Sequence, residues 1–100
     1  MLTHVVMFHI KENHPNKKLA LDECKQKLES LKEKIDGLIN ITVGLNSIES
    51  PRAADMVLIC TFKNKNDLEI YRDHPEHLKV VDIIKSHCDR STVVDYIHHQ

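Results

Sequence analysis

Residues 71–77, Tyr-Arg-Asp-His-Pro-Glu-His, carry the side chains of this sequence that are best suited to proton transfer. Proline fits the first turn of a helix, so Pro75 predicts that one helix ends near Tyr71 and another begins with His77 in its first turn. The positive end of the helix dipole disfavours imidazolium there, which keeps His77 neutral and able to accept a proton. Tyr71, whose ordinary pKa is about 10, can donate one. We therefore predict His77 and Tyr71 as a candidate catalytic pair; the alternative is that both only cap the helix and fill the gap between helix and sheet.

His74 and His77 also form an H-x-x-H pair, a spacing that suits two ligands of a metal ion. A closed metal site needs about four ligands, and no other cluster of Cys, His or Asp completes one by its spacing. We therefore expect neither a metal nor another cofactor.

The remaining histidines differ in their surroundings. His4 shares a strand face with apolar residues, where its ring either makes a structural hydrogen bond or adds a second ionisable group beside Tyr71 and His77. Three others are expected at the surface or at sheet edges, with no partner that suggests more: His9, His14 and His87. His98 and His99 are expected in a solvated tail.

The elements that position these residues follow from periodicity. Apolar residues spaced three and four apart between Pro15 and Gly37 predict one long helix, and alternating or continuous apolar runs predict strands. The predicted order is a strand at 2–10, a long helix, strands at 39–45 and 56–62, a helix broken before Pro75 and a strand at 92–97. On the second helical piece, Leu78, Val81 and Ile84 are expected to pack inward. Two strand–helix–strand units in this order predict an α+β, ferredoxin-like fold, a four-stranded antiparallel sheet with its helices on one face.

The strands at 2–10 and 56–62 are apolar on both of their faces. Helices can cover only one face of such a sheet, and 100 residues supply no second layer. A second copy of the chain is the economical cover, so we predict a homodimer with a two-fold interface.

Composition limits the classes of protein. A length of 100 residues predicts a single domain over residues 1–100, and a formal net charge of -1 argues against a nucleic-acid partner. The longest apolar run, Met56–Cys60, is far shorter than the roughly 20 residues that cross a membrane. No signal peptide is evident, so Cys24, Cys60 and Cys88 are expected as free thiols in the cytoplasm.

Five stretches in this order resemble the stress-responsive α/β-barrel (Dabb) domain family: residues 4–8, 37–38, 41–46, 55–58 and 71–77. The resemblance implies a dimeric fold in which two four-stranded sheets pack into a barrel. Olivetolic acid cyclase-like members use a tyrosine and a histidine in the last stretch to cyclise a polyketide; by position these are Tyr71 and His77. A histidine on the first strand corresponds to His4, and Met56 stands where that enzyme has another pocket histidine, so its substrate does not transfer.

These observations leave several functions open. The first is a homodimer that binds a small apolar or carbonyl-bearing molecule between helices and sheet, its reaction unassigned. The second is a cofactor-free cyclase or lyase that uses His77 as general base and Tyr71 as proton donor. A monooxygenase of the same superfamily is disfavoured because the tryptophan usual there is missing, and a structural role in stress with a vestigial pocket also stays open. The predicted ligand-binding residues are His4, Val6, Phe8, His74, Leu78 and Val81.

Overall fold

The computed structural model describes residues 1–98 and contains four strands and three α-helices. In chain order these are β1 Leu2–Ile10, α1 Lys17–Glu29, β2 Leu38–Leu45, β3 Met56–Phe62, α2 Lys65–Asp73, α3 Pro75–His87 and β4 Cys88–Ile97. A short 3-10 turn, Ser30–Glu33, follows α1, so the predicted long helix is tightened in its last turn. None of the helices described within residues 1–98 is long and apolar enough to span a bilayer.

Polar side chains set the helix boundaries. The side chain of Asn16 accepts a hydrogen bond from the Leu19 amide at the start of α1, and Asn64 does the same for α2 by accepting from Asp67. Before Pro75, His74 has the extended backbone that proline imposes on its neighbour, and this divides α2 from α3 as predicted.

The four strands form one antiparallel sheet in the order β2-β3-β1-β4. In the two central strands Val6 lies opposite Leu58, and across the other edge of β1 it lies opposite Val93. Because side chains alternate along a strand, this register directs the even-numbered residues of β1 and β3 to the helical face. The ferredoxin-like α+β fold is therefore confirmed.

The core lies between the helices and that face of the sheet. Both predicted core cysteines, Cys24 of α1 and Cys60 of β3, are completely buried. The buried cluster is completed from all three helices, the turn after α1 and the strands, and includes Leu28, Leu31, Ile35, Phe62, Leu68 and Tyr71.

The opposite face of the sheet, here called the open face, carries large apolar side chains that the chain itself leaves exposed. Met7, Ile59, Val94 and Tyr96 are each between 39 and 61% exposed. These residues come from three neighbouring strands and lie on the same side by register. The prediction of a sheet that is apolar on both sides is confirmed.

The predicted packing face of α3 is wrong at one residue. Leu78 is 50% exposed, whereas Val80 and Ile84 are buried in the core. Successive residues of a helix are about 100° apart, so Leu78 faces a different direction from His77. Val81 and Ile84 lie four and seven residues after His77 and therefore return to the same side of the helix as His77.

Four histidines that were expected at the surface or in a solvated tail have side-chain hydrogen-bond partners: His9, His14, His87 and His98. The Asn16 amide donates to Nδ1 of His14, whose Nε2 donates to Nδ1 of His87 over 2.9 Å. The Nε2 of His87 then donates to a carboxylate oxygen of Glu23 at 2.6 Å, so the two rings join the loop before α1 to the end of α3. His98 is half-buried and hydrogen-bonded to Thr3, while His99 lies outside the described residues.

Candidate functional site

A cavity of about 440 Å³ lies between the helices and the sheet. Its size falls within the range of about 300–1000 Å³ that small-molecule sites occupy. Apolar side chains from β1, β3, α1 and α3 make most of its wall, among them Val6, Phe8, Leu28, Leu58, Val81 and Ile84. The polar side chains that line it include His4, Tyr71, Arg72, His77, Lys85 and Asp95.

The helix break brings Tyr71 and His77 together. Tyr71 lies in the last turn of α2 and His77 in the first turn of α3, and their ring centroids are 4.2 Å apart. On its other sides Tyr71 meets Phe62, with centroids 5.1 Å apart, and the edge of His4 at 6.3 Å. Tyr71 lines the cavity together with both histidines, and only 1% of it is exposed.

His77 is held in one tautomer. Its Nδ1 donates a hydrogen bond to the backbone carbonyl of Arg72 over 3.0 Å. Since a carbonyl only accepts, the proton of the neutral ring is on Nδ1 and the lone pair is on Nε2. Burial lowers the pKa of His77, the bond to the Arg72 carbonyl opposes this, and the nearby charges of His4, Arg72 and His74 lower it further. The direction matches the sequence prediction, but burial is the main cause.

Tyr71 is held as a neutral phenol. Burial raises the pKa of Tyr71 far above its usual value, and the neighbouring Cys60 adds to the effect. Burial also raises the pKa of the Cys60 thiol to about 12, and its sulfur donates to the Tyr71 hydroxyl oxygen over 3.9 Å. This contact is long and sulfur is a weak hydrogen-bonding partner, so the Tyr71 hydroxyl has no strong partner among residues 1–98.

His4 has an acidic partner that sequence reasoning missed. Its Nδ1 donates to Oδ1 of Asp95 at 2.5 Å, and the two residues are directly opposed in the pairing of β1 with β4. The His4 side chain is 12% exposed and that of Asp95 is 31% exposed. The carboxylate orients the ring. Only the strand register could have revealed this pair, since 91 residues separate its members in the sequence.

The predicted site residues do not all meet. His4, Val6, Phe8, Tyr71, His77 and Val81 line the cavity. His74 instead caps α3, its Nδ1 accepting a hydrogen bond from the Glu76 amide at 3.1 Å, and Leu78 points toward solvent. Arg72, Lys85 and Asp95 are wall residues that the sequence reasoning did not select.

Both members of the H-x-x-H pair use Nδ1 for hydrogen bonds within the chain. Across residues 1–98, no group of three or more His, Cys, Asp or Glu side chains is close enough to hold a metal ion.

Fold and cavity together define a ferredoxin-like α+β protein whose largely apolar pocket is bordered by the ionisable rings of His4, Tyr71 and His77. Residues 2–98 match the model of the stress responsive A/B barrel domain, Dabb. The chain belongs to this family. No curated protein matches it in sequence.

Solved structures share the fold over nearly the whole chain. A dimeric protein of unknown function from Bacteroides fragilis has 29% identity and a TM-score of 0.86, covering 95% of this chain and 93% of its own. An Arabidopsis thaliana protein has 22% identity and a TM-score of 0.83, covering 100% and 97%. The hydroxynitrile lyase of Passiflora edulis has 16% identity and a TM-score of 0.82, covering 99% and 94%. The latter two likenesses are in fold alone.

Proposed function

We propose that this protein is a homodimer that binds a small apolar molecule bearing a carbonyl group in the cavity between helices and sheet. The observation that carries the proposal is the pairing of His77 and Tyr71 at 4.2 Å on the wall of a largely apolar cavity. Apolar walls accept the carbon body, and a few fixed polar groups orient it. Three free cysteines suit a reducing, cytoplasmic location.

The polar groups suit a carbonyl in particular. Among residues 1–98 the Tyr71 hydroxyl is engaged by the weak 3.9 Å contact with Cys60 alone, so it is able to donate a stronger hydrogen bond to a ligand. A carbonyl oxygen accepts such a bond without bringing a charge into the cavity, which would be costly to desolvate. Nε2 of His77 has no hydrogen-bond partner among residues 1–98 and offers a lone pair to the same ligand.

A cofactor-free cyclase or lyase is the second candidate, and the fixed tautomer of His77 favours it. Nε2 takes a proton from the carbon next to the carbonyl, while the Tyr71 hydroxyl donates a hydrogen bond to the carbonyl oxygen as negative charge develops there. The raised pKa of Tyr71 keeps its proton in place, so it acts as a hydrogen-bond donor rather than as a base. A hydroxynitrile lyase and an antibiotic biosynthesis monooxygenase have the same fold, each at 16% identity. The monooxygenase has the least support because the chain has no tryptophan.

The homodimer is supported by the open face. Its exposed apolar side chains lie on adjacent strands, and in a monomer they would stay in contact with water and contribute no free energy of burial. The Bacteroides fragilis protein and two other ferredoxin-like neighbours are described as dimeric.

Acetophenone and ethylbenzene make a matched pair of probes, since they have the same carbon skeleton and differ in the carbonyl oxygen. We expect acetophenone to bind more tightly by calorimetry and to shift the NMR resonances of the His4 and His77 rings. The ring of His9, which is paired with Arg90 away from the cavity, is the internal control. Equal affinity for both probes would refute the claim that the site recognises a carbonyl group. Shifts confined to the open face would place binding elsewhere.

A further inference from the structure

A second cavity of about 400 Å³ adjoins the first at the start of α2. The two cavities share three wall residues, Leu68, Arg72 and Asp95. Leu2 and Ile97 continue the apolar surface into the second cavity. The two cavities therefore adjoin at Leu68, Arg72 and Asp95, with His77 on the wall of the first and the beginning of α2 on the wall of the second.

The second cavity is lined mainly by cationic side chains among its charged residues. Lys63, Lys65 and Arg72 line the second cavity, where Asp95 is the one carboxylate among the described lining residues. Asp95 already accepts a hydrogen bond from His4, and Lys65 approaches Glu69 at 4.0 Å. Lys63 and Arg72 form no salt bridge within residues 1–98. Two unpaired cations on the wall of the second cavity, in a chain whose net charge is -1, are complementary to an anion.

We propose that the two cavities form a single site for an amphipathic organic anion. Its apolar body lies beside Tyr71 and His77, and its carboxylate or phosphate group lies between Lys63 and Arg72. This inference rests on the proposed function, because it uses the same inner cavity, and it adds the charge and orientation of the ligand. Arginine and lysine donate several hydrogen bonds to either oxyanion, so the shared chemistry is an acidic head on an apolar body.

Three probes with one phenyl body separate the head groups: 4-phenylbutyrate, 4-phenylbutanol and 4-phenylbutylamine. We expect calorimetry to rank their affinities in that order. Lys63→Glu should weaken 4-phenylbutyrate by roughly three- to tenfold and leave 4-phenylbutanol within about twofold, since an exposed charge pair contributes modestly. Lys32→Glu makes the same change at an exposed lysine that lies outside both cavities and should have no effect. Raising the salt concentration to 0.5 M should reduce the difference between Lys63→Glu and the unchanged protein.

The outcomes are distinct. If the butyrate and the alcohol bind equally while acetophenone still binds, the anion site is refuted and the proposed function stands. If Lys85→Gln weakens the butyrate and Lys63→Glu does not, the head group lies at the opposite end and the orientation is refuted. If no phenyl compound binds, both proposals fail. If 4-phenylbutyrate binds as expected, 4-phenylbutylphosphonate is the next probe. A higher affinity for the phosphonate than for the butyrate would indicate a site for phosphate, and a lower one would indicate a site for carboxylate.

Discussion

Tyr71→Phe separates the structural role of Tyr71 from its role toward a ligand. The change removes one oxygen and leaves the buried ring in place against Phe62 and His77. Within the protein the hydroxyl makes a weak contact, the 3.9 Å bond that it accepts from Cys60. Toward a bound carbonyl it would donate a full O–H hydrogen bond.

The two roles differ in magnitude. A thiol is a weak donor, so its loss costs the folded protein about 1 kcal/mol or less, a fall in Tm of about 4–8 °C at most for a chain of this length. Loss of a neutral hydrogen bond to the ligand costs about 0.5–1.5 kcal/mol, which corresponds to a roughly two- to tenfold weaker affinity. If the protein is an acid–base enzyme, turnover should fall by about 10²–10⁴-fold, because the donor acts on the charge that develops.

Calorimetry with acetophenone and ethylbenzene measures the second quantity, and differential scanning calorimetry measures the first. We expect Tyr71→Phe to weaken acetophenone and to leave ethylbenzene unchanged. Cys60→Ala is the matched control: it deletes the other side of the same contact and should retain the preference for the carbonyl. If both variants weaken both probes equally, the hydroxyl supports packing only, and the assignment of Tyr71 as a hydrogen-bond donor to the ligand is refuted.

Three further changes test other contacts. Asp95→Asn removes the charged partner that orients His4 and should weaken the affinity for acetophenone by roughly three- to tenfold. NMR should then show a more mobile His4 ring, and an unaltered ring would contradict this role of Asp95. A second test concerns pH. The pKa of His77 is lower in the folded protein than in the unfolded chain, so as the pH falls the unfolded chain binds a proton at this ring before the folded protein does. The contribution of neutral His77 to the free energy of unfolding is therefore complete above about pH 6.5 and is lost as the pH falls toward the folded pKa. Urea unfolding between pH 5 and 8 should show this loss, and His77→Gln should reduce it. Ile59→Lys places a charge on the open face and should give a monomer, as measured by light scattering. Ile70→Lys makes the same change at an exposed residue of α2 and should leave the dimer intact. A dimer that survives Ile59→Lys would exclude the open face as the interface.

Local chemistry accounts for the parts of the site that could be predicted from sequence. Pro75 cannot continue a helix, and the residue before it is forced to be extended. The break that sets Tyr71 beside His77 therefore depends only on residues that are adjacent in the sequence. The fold class likewise follows from periodicity, because a helix and a strand bury residues at different spacings. Periodicity does not set the phase of α3, because Leu78 and Val80 are both apolar and only packing decides which one faces the core.

Contacts between distant residues could not be predicted in this way. His4 and Asp95 meet because β1 and β4 pair in one register, and a shift of one residue would turn Asp95 to the open face. The chain from His14 through His87 to Glu23 depends on where the loop before α1 lies against the end of α3. Neither pair has a spacing in the sequence that marks it.

The sequence by itself determined the order of the elements, the break at Pro75, the double-faced strands and the pair Tyr71 and His77. The tertiary structure alone decided which nitrogen of His77 is free, that Cys60 lies against the Tyr71 hydroxyl, and that Arg72 and Lys63 line the second cavity. The physical reason is range: backbone preferences and periodicity act between residues a few positions apart. Hydrogen bonds, burial and charge at a site arise instead between residues that only the packed sheet and helices bring together.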